Sequence, residues 1–207
     1  VSYAGFVGSE NAAVLGGTLV VSRSNSSTNT AGQYTDVLVA SGLASDNYEF
    51  SYVNGDFTIV GSNELLVRVT DVSNIYGTTT QYAIASVEYE DGGTVYKLGS
   101  GGVANSSVSI NSSNLVSIND GASGSASFTL APQDPLTSTA GKLAAGSYQL
   151  GVSGAVTENS VNFSDTITVV CSHQVNTKAL TASASNVSKV YDATTSMSGV
   201  TLTLAGL

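Results

Sequence analysis

The sequence predicts an all-β chain made of tandem antiparallel β-sandwich-like repeat domains, and three observations predict it. Apolar and polar residues alternate with period two, and no stretch carries a convincing helical period. Turn-forming pairs separate the alternating runs: Gly16-Gly17, Asn54-Gly55, Asp91-Gly92, Gly101-Gly102 and Asp120-Gly121. The chain also repeats itself in fixed order. Asp71-Val-Ser-Asn-Ile-Tyr-Gly-Thr-Thr-Thr80 returns 115 positions later as Asn186-Val-Ser-Lys-Val-Tyr-Asp-Ala-Thr-Thr195, and Ala31-Gly-Gln-Tyr34 returns 114 positions later as Ala145-Gly-Ser-Tyr148. Self-similarity at this scale marks tandem domains.

The elements follow in order. Tyr48, Phe50 and Tyr52 alternate with Asn47, Glu49 and Ser51, as one greasy and one wet face of a strand would. Phe57-Thr-Ile-Val60 is a further apolar strand, matched by Ile167-Thr-Val-Val170 in the second copy. Leu65, Val67 and Val69 alternate with Glu64, Leu66 and Arg68. Ala126, Phe128 and Leu130 oppose Ser125, Ser127 and Thr129, while Tyr148, Leu150 and Val152 form another such face. Val200, Leu202 and Leu204 repeat the pattern near the last residue. The resulting division is a back part of one repeat at 1–62, a complete and enlarged repeat at 63–177, and the opening strands of a further repeat at 178–207. The enlargement falls across about residues 90–140, where an extra hairpin or projecting loops are expected, and where a repeat protein places recognition.

Joining 178–207 to 1–62 gives one whole repeat in proper order. The chain therefore reads as an excerpt from a longer array. It also reads, as an alternative, as the subunit of a filament in which 178–207 of one copy completes the first domain of the next by strand addition.

Composition narrows the function. Apolar residues are 42% of the chain, enough for a core, while charged residues are only 10%. A formal net charge of −9 argues against nucleic acid and against anionic membranes, and no apolar run reaches the ~20 residues of a span. Cys171 is the one cysteine, so it forms no internal disulfide and is expected as a buried thiol. Low charge, scarce cysteine and Ser/Thr/Asn/Gly-rich repeats point to an extracellular or bacterial cell-surface setting. Asn-X-Ser sequons stand at Asn25, Asn105, Asn111, Asn162 and Asn186, as expected by chance in so Ser-rich a chain.

With these residues in view, the chain resembles the MBG and YDG repeat domains of large, filamentous-haemagglutinin-like bacterial surface adhesins. Tyr3-Ala-Gly-Phe-Val-Gly-Ser-Glu10, Ala31-Gly-Gln-Tyr34 and Ser41-Gly-Leu through Asn47-Tyr-Glu-Phe-Ser-Tyr-Val-Asn-Gly-Asp-Phe-Thr-Ile59 are similar to the first type. Lys189-Val-Tyr-Asp-Ala-Thr-Thr195 is similar to the second, departing at Ala193. The resemblance implies a β-rich stalk for attachment or biofilm, and it brings no catalytic residues.

Chemistry-bearing residues are few. His173 is the only histidine, expected at a surface or turn; a Cys171-X-His173 pair is two ligands, where structural zinc takes four. No Gly-X-Ser-X-Gly elbow is present, so no enzyme is expected. Glu88, Glu90 and Asp91 ahead of Gly92-Gly93 are the densest acidic cluster and the candidate site for calcium, the one cofactor considered. Tyr82, Tyr89 and Tyr96 are the candidate ligand-binding residues of a carbohydrate-binding module, a second alternative. Lys97, Lys142, Lys178 and Lys189 are the candidates for an intramolecular Lys–Asn crosslink. Expected partners are neighbouring repeats, other copies head to tail, and a host surface or extracellular polysaccharide, with no nucleic acid and no membrane insertion.

Overall fold

A computed structural model of the chain describes residues 3–184, 187–196 and 199–206. Asn186, with its sequon and the start of the second repeat motif, lies outside the described residues, as do the outermost residues of the expected first and last segments. The fold is all-β, with about half of the residues in strands. The chain divides into two compact units, Val1–Ser62 and Asn63–Leu207.

The first unit is a single three-stranded sheet, ordered β1 (Gly16–Arg23), β2 (Gly32–Ala44), β3 (Gly55–Ile59). A 3-10 turn, Ala12–Val14, precedes β1. The long strand β2 pairs with β3 through its first residues and with β1 through its later ones. Gly17 and Gly42 face each other at the β1–β2 bulge, both at positive φ, and a Cβ on either would lie 2.2 Å from a backbone oxygen of the other strand. None of the described residues of this unit is buried.

The second unit is a sandwich. One sheet holds β5 (Val72–Ile75), β13 (Ser172–Asn176), β11 (Gly146–Glu158), β10 (Ser125–Pro132), β9 (Leu115–Asp120) and β8 (Ser106–Ile110), in that order. The other holds β12 (Ile167–Val170), β4 (Leu65–Val69), β6 (Ile84–Asp91) and β7 (Thr94–Leu98). Leu65, Val67 and Val87 of the smaller sheet and Val116, Phe128 and Leu130 of the larger share one core, all within 2% exposure. The β8–β9 hairpin lies at the far edge of the larger sheet, within residues 90–140. Gly92-Gly93 forms the two-residue β6–β7 turn with positive φ at both positions, as a tight hairpin of this hand requires.

The expectation of antiparallel sheets needs one correction. Most pairings are antiparallel, but β4 runs parallel to β12 and β5 parallel to β13. The first strands of the repeat lie alongside its last, so the sandwich is closed by its own termini. Both strand pairs change sheet at one level. There the Cys171 thiol donates to the Thr70 carbonyl at 3.6 Å, and the Ser172 N–H donates to Asp71 Oδ1 at 2.7 Å.

After β13 the chain forms a two-stranded antiparallel hairpin, β14 (Thr181–Ala184) and β15 (Leu202–Ala205), exposed along both strands.

Candidate functional site

The sequence repeat is a structural repeat. Gly32, Gln33 and Tyr34 of β2 pair with Ile59, Thr58 and Phe57. Gly146, Ser147 and Tyr148 of β11 pair with Val175, Gln174 and His173 in the same register. The Tyr34 hydroxyl donates to the Thr30 carbonyl at 2.8 Å, and the Tyr148 hydroxyl to the Ala144 carbonyl at 2.9 Å, each four residues back. Thus β1-β2-β3 corresponds to β10-β11-β13, which corrects the sequence match of Phe57–Val60 to Ile167–Val170: by register Phe57, Thr58 and Ile59 correspond to His173, Gln174 and Val175. The first unit holds no counterpart of β4, β5 or β6 among its described residues.

That difference leaves an open apolar groove of ≈ 560 Å³ on the first unit, lined among others by Leu19, Val21, Leu38, Phe50, Tyr52 and Val53. Counting back four residues from Phe57 and His173 reaches Val53 and Val169. Val53 is 88% exposed and Val169 only 7%, because β4 lies beside β12 in the second unit. The alternating run Tyr48–Tyr52, expected as a strand, is irregular here. A strand needs a ladder partner for its backbone donors and acceptors, and the described residues of the first unit provide none at this place. Of the lining residues, Tyr48 donates its hydroxyl to Glu10; at the end of β1, Arg23 donates to the carbonyls of Ser26 and Thr28 while lying 4.8 Å over the Phe57 ring.

In the second unit the terminal strands are tied by side chains as well as backbone. His173 is 1% exposed, a correction to the surface position expected from sequence. Its ring is edge-on to Tyr82, whose hydroxyl lies 3.1 Å from Nδ1, while Asn74 Oδ1 lies 2.7 Å from Nε2. These partners suit the neutral ring with its proton on Nε2: Tyr82 donates and Asn74 accepts. Burial lowers the His173 pKa and pushes that of Tyr82 up to about 12. Burial likewise raises the Cys171 thiol to about 11, leaving an inert buried thiol as expected. Period-two alternation alone gave no sign that the single histidine would face inward; its place two residues after the buried Cys171 was the available signal.

The sequence-derived candidates fall in different places. On β6, Glu88 and Glu90 alternate with Val87 and Tyr89, whose side chains are buried, and Asp91 is exposed at the strand end. Strand alternation therefore splits Glu88 and Glu90 from Asp91. Glu90 accepts from the Gly93 N–H of the turn. Among the described residues no group of three His, Cys, Asp or Glu side chains is placed to hold a metal. Tyr89 and Tyr96 stack with centroids 5.1 Å apart, and Tyr89 meets Phe163 edge-on, whereas Tyr82 belongs to the His173 contact. The structure thus joins two of the three tyrosines. Lys189 donates to Asp192 at 2.8 Å and to the Thr194 and Ser196 carbonyls, knotting its own turn.

One buried carboxylate emerges that sequence reading took for a simple turn. Asp120 accepts from the Ala122 and Gly124 N–H groups, from Ser160 Oγ at 2.7 Å and from Asn162 Nδ2 at 2.9 Å. Burial pushes its pKa up, but the hydrogen bonds outweigh that and hold it below 3.8. It is a structural pin between the β9–β10 turn and the segment leading to β12.

The repeated tyrosine turn and the Phe-Thr-Ile strand of the first unit agree with what comparison finds. Residues 1–58 match the family model of the MBG domain, YGX type. MBG domains occur in bacterial surface proteins. The MBG segment thus covers β1, β2 and nearly all of β3, and its apolar groove lies wholly within it. No curated protein and no solved structure matches the chain. Among the described residues no helix is long and apolar enough to cross a membrane.

Proposed function

We propose that this chain is a load-bearing repeat module in the stalk of a bacterial cell-surface or secreted adhesin, serving attachment or biofilm formation without catalysis. The observation that carries the reading is the parallel closure of the second unit. The chain comes in at β4 beside the start of β12 and leaves at the end of β13 beside the end of β5. Tension along the array pulls these parallel strands in opposite directions. All their ladder hydrogen bonds are then loaded together, instead of opening one at a time. The low charge and hydroxyl-rich surface suit a spacer that stays wet without ion pairs. In this reading the partners are neighbouring repeats, with a host surface or an extracellular polysaccharide met by the loops.

A second reading is favoured by the uncovered groove: a filament subunit whose residues 178–207 complete the first unit of another copy. The surface setting is tested by labelling intact producing cells with an antibody raised against the folded second unit. Labelling without permeabilisation is expected; labelling only after lysis overturns the surface assignment.

A further inference from the structure

The connection between β10 and β11 holds a second kind of chemistry, independent of the stalk reading. We infer that the Asp134–Pro135 peptide bond is a self-cleavage site, cut in mild acid by the Asp134 carboxylate with water as the only co-reactant.

Asp134 has φ 46°, in the left-handed region. An aspartate alone tolerates that conformation, but a following proline ring presses the residue before it towards extended backbone. Among the described residues, Asp134 is the one non-glycine residue that combines positive φ with a following proline. Its neighbours hold it there. On one side the Gln133 N–H donates to the Gln149 carbonyl at 2.8 Å. The Gln133 side chain also lies so close to Gly151 that a Cβ there would meet Nε2 at 2.2 Å. On the other side the Leu136 carbonyl accepts from the Ala144 N–H at 2.8 Å and lies 3.4 Å from the Tyr148 hydroxyl. Two residues thus bridge two fixed points, and Pro135 cannot share the distortion because its ring sets its own φ. Backbone strain of this kind persists only where the surroundings impose it, and it gathers at functional sites.

The carboxylate is available. Asp134 is exposed, and its side chain takes no hydrogen bond or ion pair among the described residues. A carboxylate oxygen of Asp134 bonds to the carbonyl carbon of the same residue, closing a five-membered ring, an intramolecular attack that needs no second molecule. The C–N bond to Pro135 breaks, and its electron pair stays on the proline nitrogen, which takes a proton from the acid solution. Water then opens the cyclic anhydride. Asp134 is left as a new C-terminus with two carboxyl groups and Pro135 as a new N-terminus. The net change is hydrolysis, with nothing oxidised or reduced. Breaking the bond frees Asp134 from its left-handed conformation, so the folded chain starts nearer the barrier than the unfolded one.

The cut leaves the second unit assembled. Three strand pairs join the two pieces across it: β10 with β11, β4 with β12 and β5 with β13. Phe128 from one piece and Leu150, Phe163 and Val169 from the other share the same core. The covalent path through the unit is lost while its fold is kept, so these ladders and this core become the only link between the two pieces.

The test incubates the full chain in mild acid, about pH 5, with protease inhibitors, beside the same chain unfolded in urea at that pH. Mass spectrometry after denaturation is expected to find fragments 1–134 and 135–207. Their formation in the folded chain is expected to run about tenfold or more faster than in urea, the acceleration that strain of this size supplies. Before denaturation, light scattering is expected to give the molar mass of the uncut chain. Asp134→Glu keeps the charge but lengthens the side chain by one methylene, and is expected to lose the cut at this bond. Equal rates in the folded and unfolded chain, or a cut only in urea, overturn the strained site. A cut that survives in Asp134→Glu overturns the carboxylate as nucleophile, and no cut in either state overturns the proposal outright.

Discussion

Val53 and Val169 hold the same place in two copies of one repeat, yet the first is 88% exposed and the second 7%. The difference is β4, which pairs in parallel with β12 and has no counterpart among the described residues of the first unit. Burying a valine contributes ~1.5–3 kcal/mol. Val169→Ala is therefore expected to destabilise the second unit by about 1–3 kcal/mol. Val53→Ala in dilute solution stays within about 0.5 kcal/mol. Urea titrations of the two variants, followed by tyrosine fluorescence, check the contrast.

His173 gives the second unit a pH dependence. Its folded pKa lies below the ordinary 6.5, so the unfolded chain takes up a proton that the folded one refuses. Stability is then level above about pH 6.5 and falls as pH drops below it, by at most about 1.4 kcal/mol per pH unit until the folded pKa is passed. His173→Gln is expected to remove this slope, which no other histidine can supply. Denaturant midpoints at pH 7.5 and 5.5 for both proteins decide it.

Tyr82→Phe removes the hydroxyl that partners His173 Nδ1 and leaves a buried acceptor unsatisfied, at a cost of about 1–3 kcal/mol. The measurement is the urea midpoint of the second unit. An unchanged midpoint means that the hydroxyl contributes nothing to the terminal-strand closure.

Asp120 sets the acid limit. A carboxylate held below its ordinary value lends stability above about pH 3.8 that is lost as pH falls through the folded pKa. Asp120→Ala strands the Ser160, Asn162 and backbone donors and is expected to cost about 2–4 kcal/mol at neutral pH. Circular dichroism during acid titration is expected to show a flatter loss of stability below pH 4 in the variant.

How much of this was legible beforehand follows from what each residue needs. The strands at Leu65–Val69, Ser125–Pro132 and Gly146–Glu158 were readable because one face of each is buried and period two survives. The same alternation at Tyr48–Tyr52 gave no strand, since periodicity reports the face a residue wants and says nothing of whether a partner strand is present. The parallel closure was hidden for a related reason: pairing of Leu65 with Ile167 spans about half the chain and leaves no local mark. His173 and Asp120 were misjudged because their partners, Tyr82, Asn74, Ser160 and Asn162, come from distant segments.

The load-bearing account is tested most directly by pulling single molecules of the second unit through thiol handles in two geometries. Handles at 63 and 176 load the parallel strands in shear, whereas handles at 76 and 176 sit at one end of the β5–β13 pair and peel it open. The account predicts a clearly higher unfolding force through 63 and 176. Equal forces, or a higher force in the peeling geometry, would contradict it.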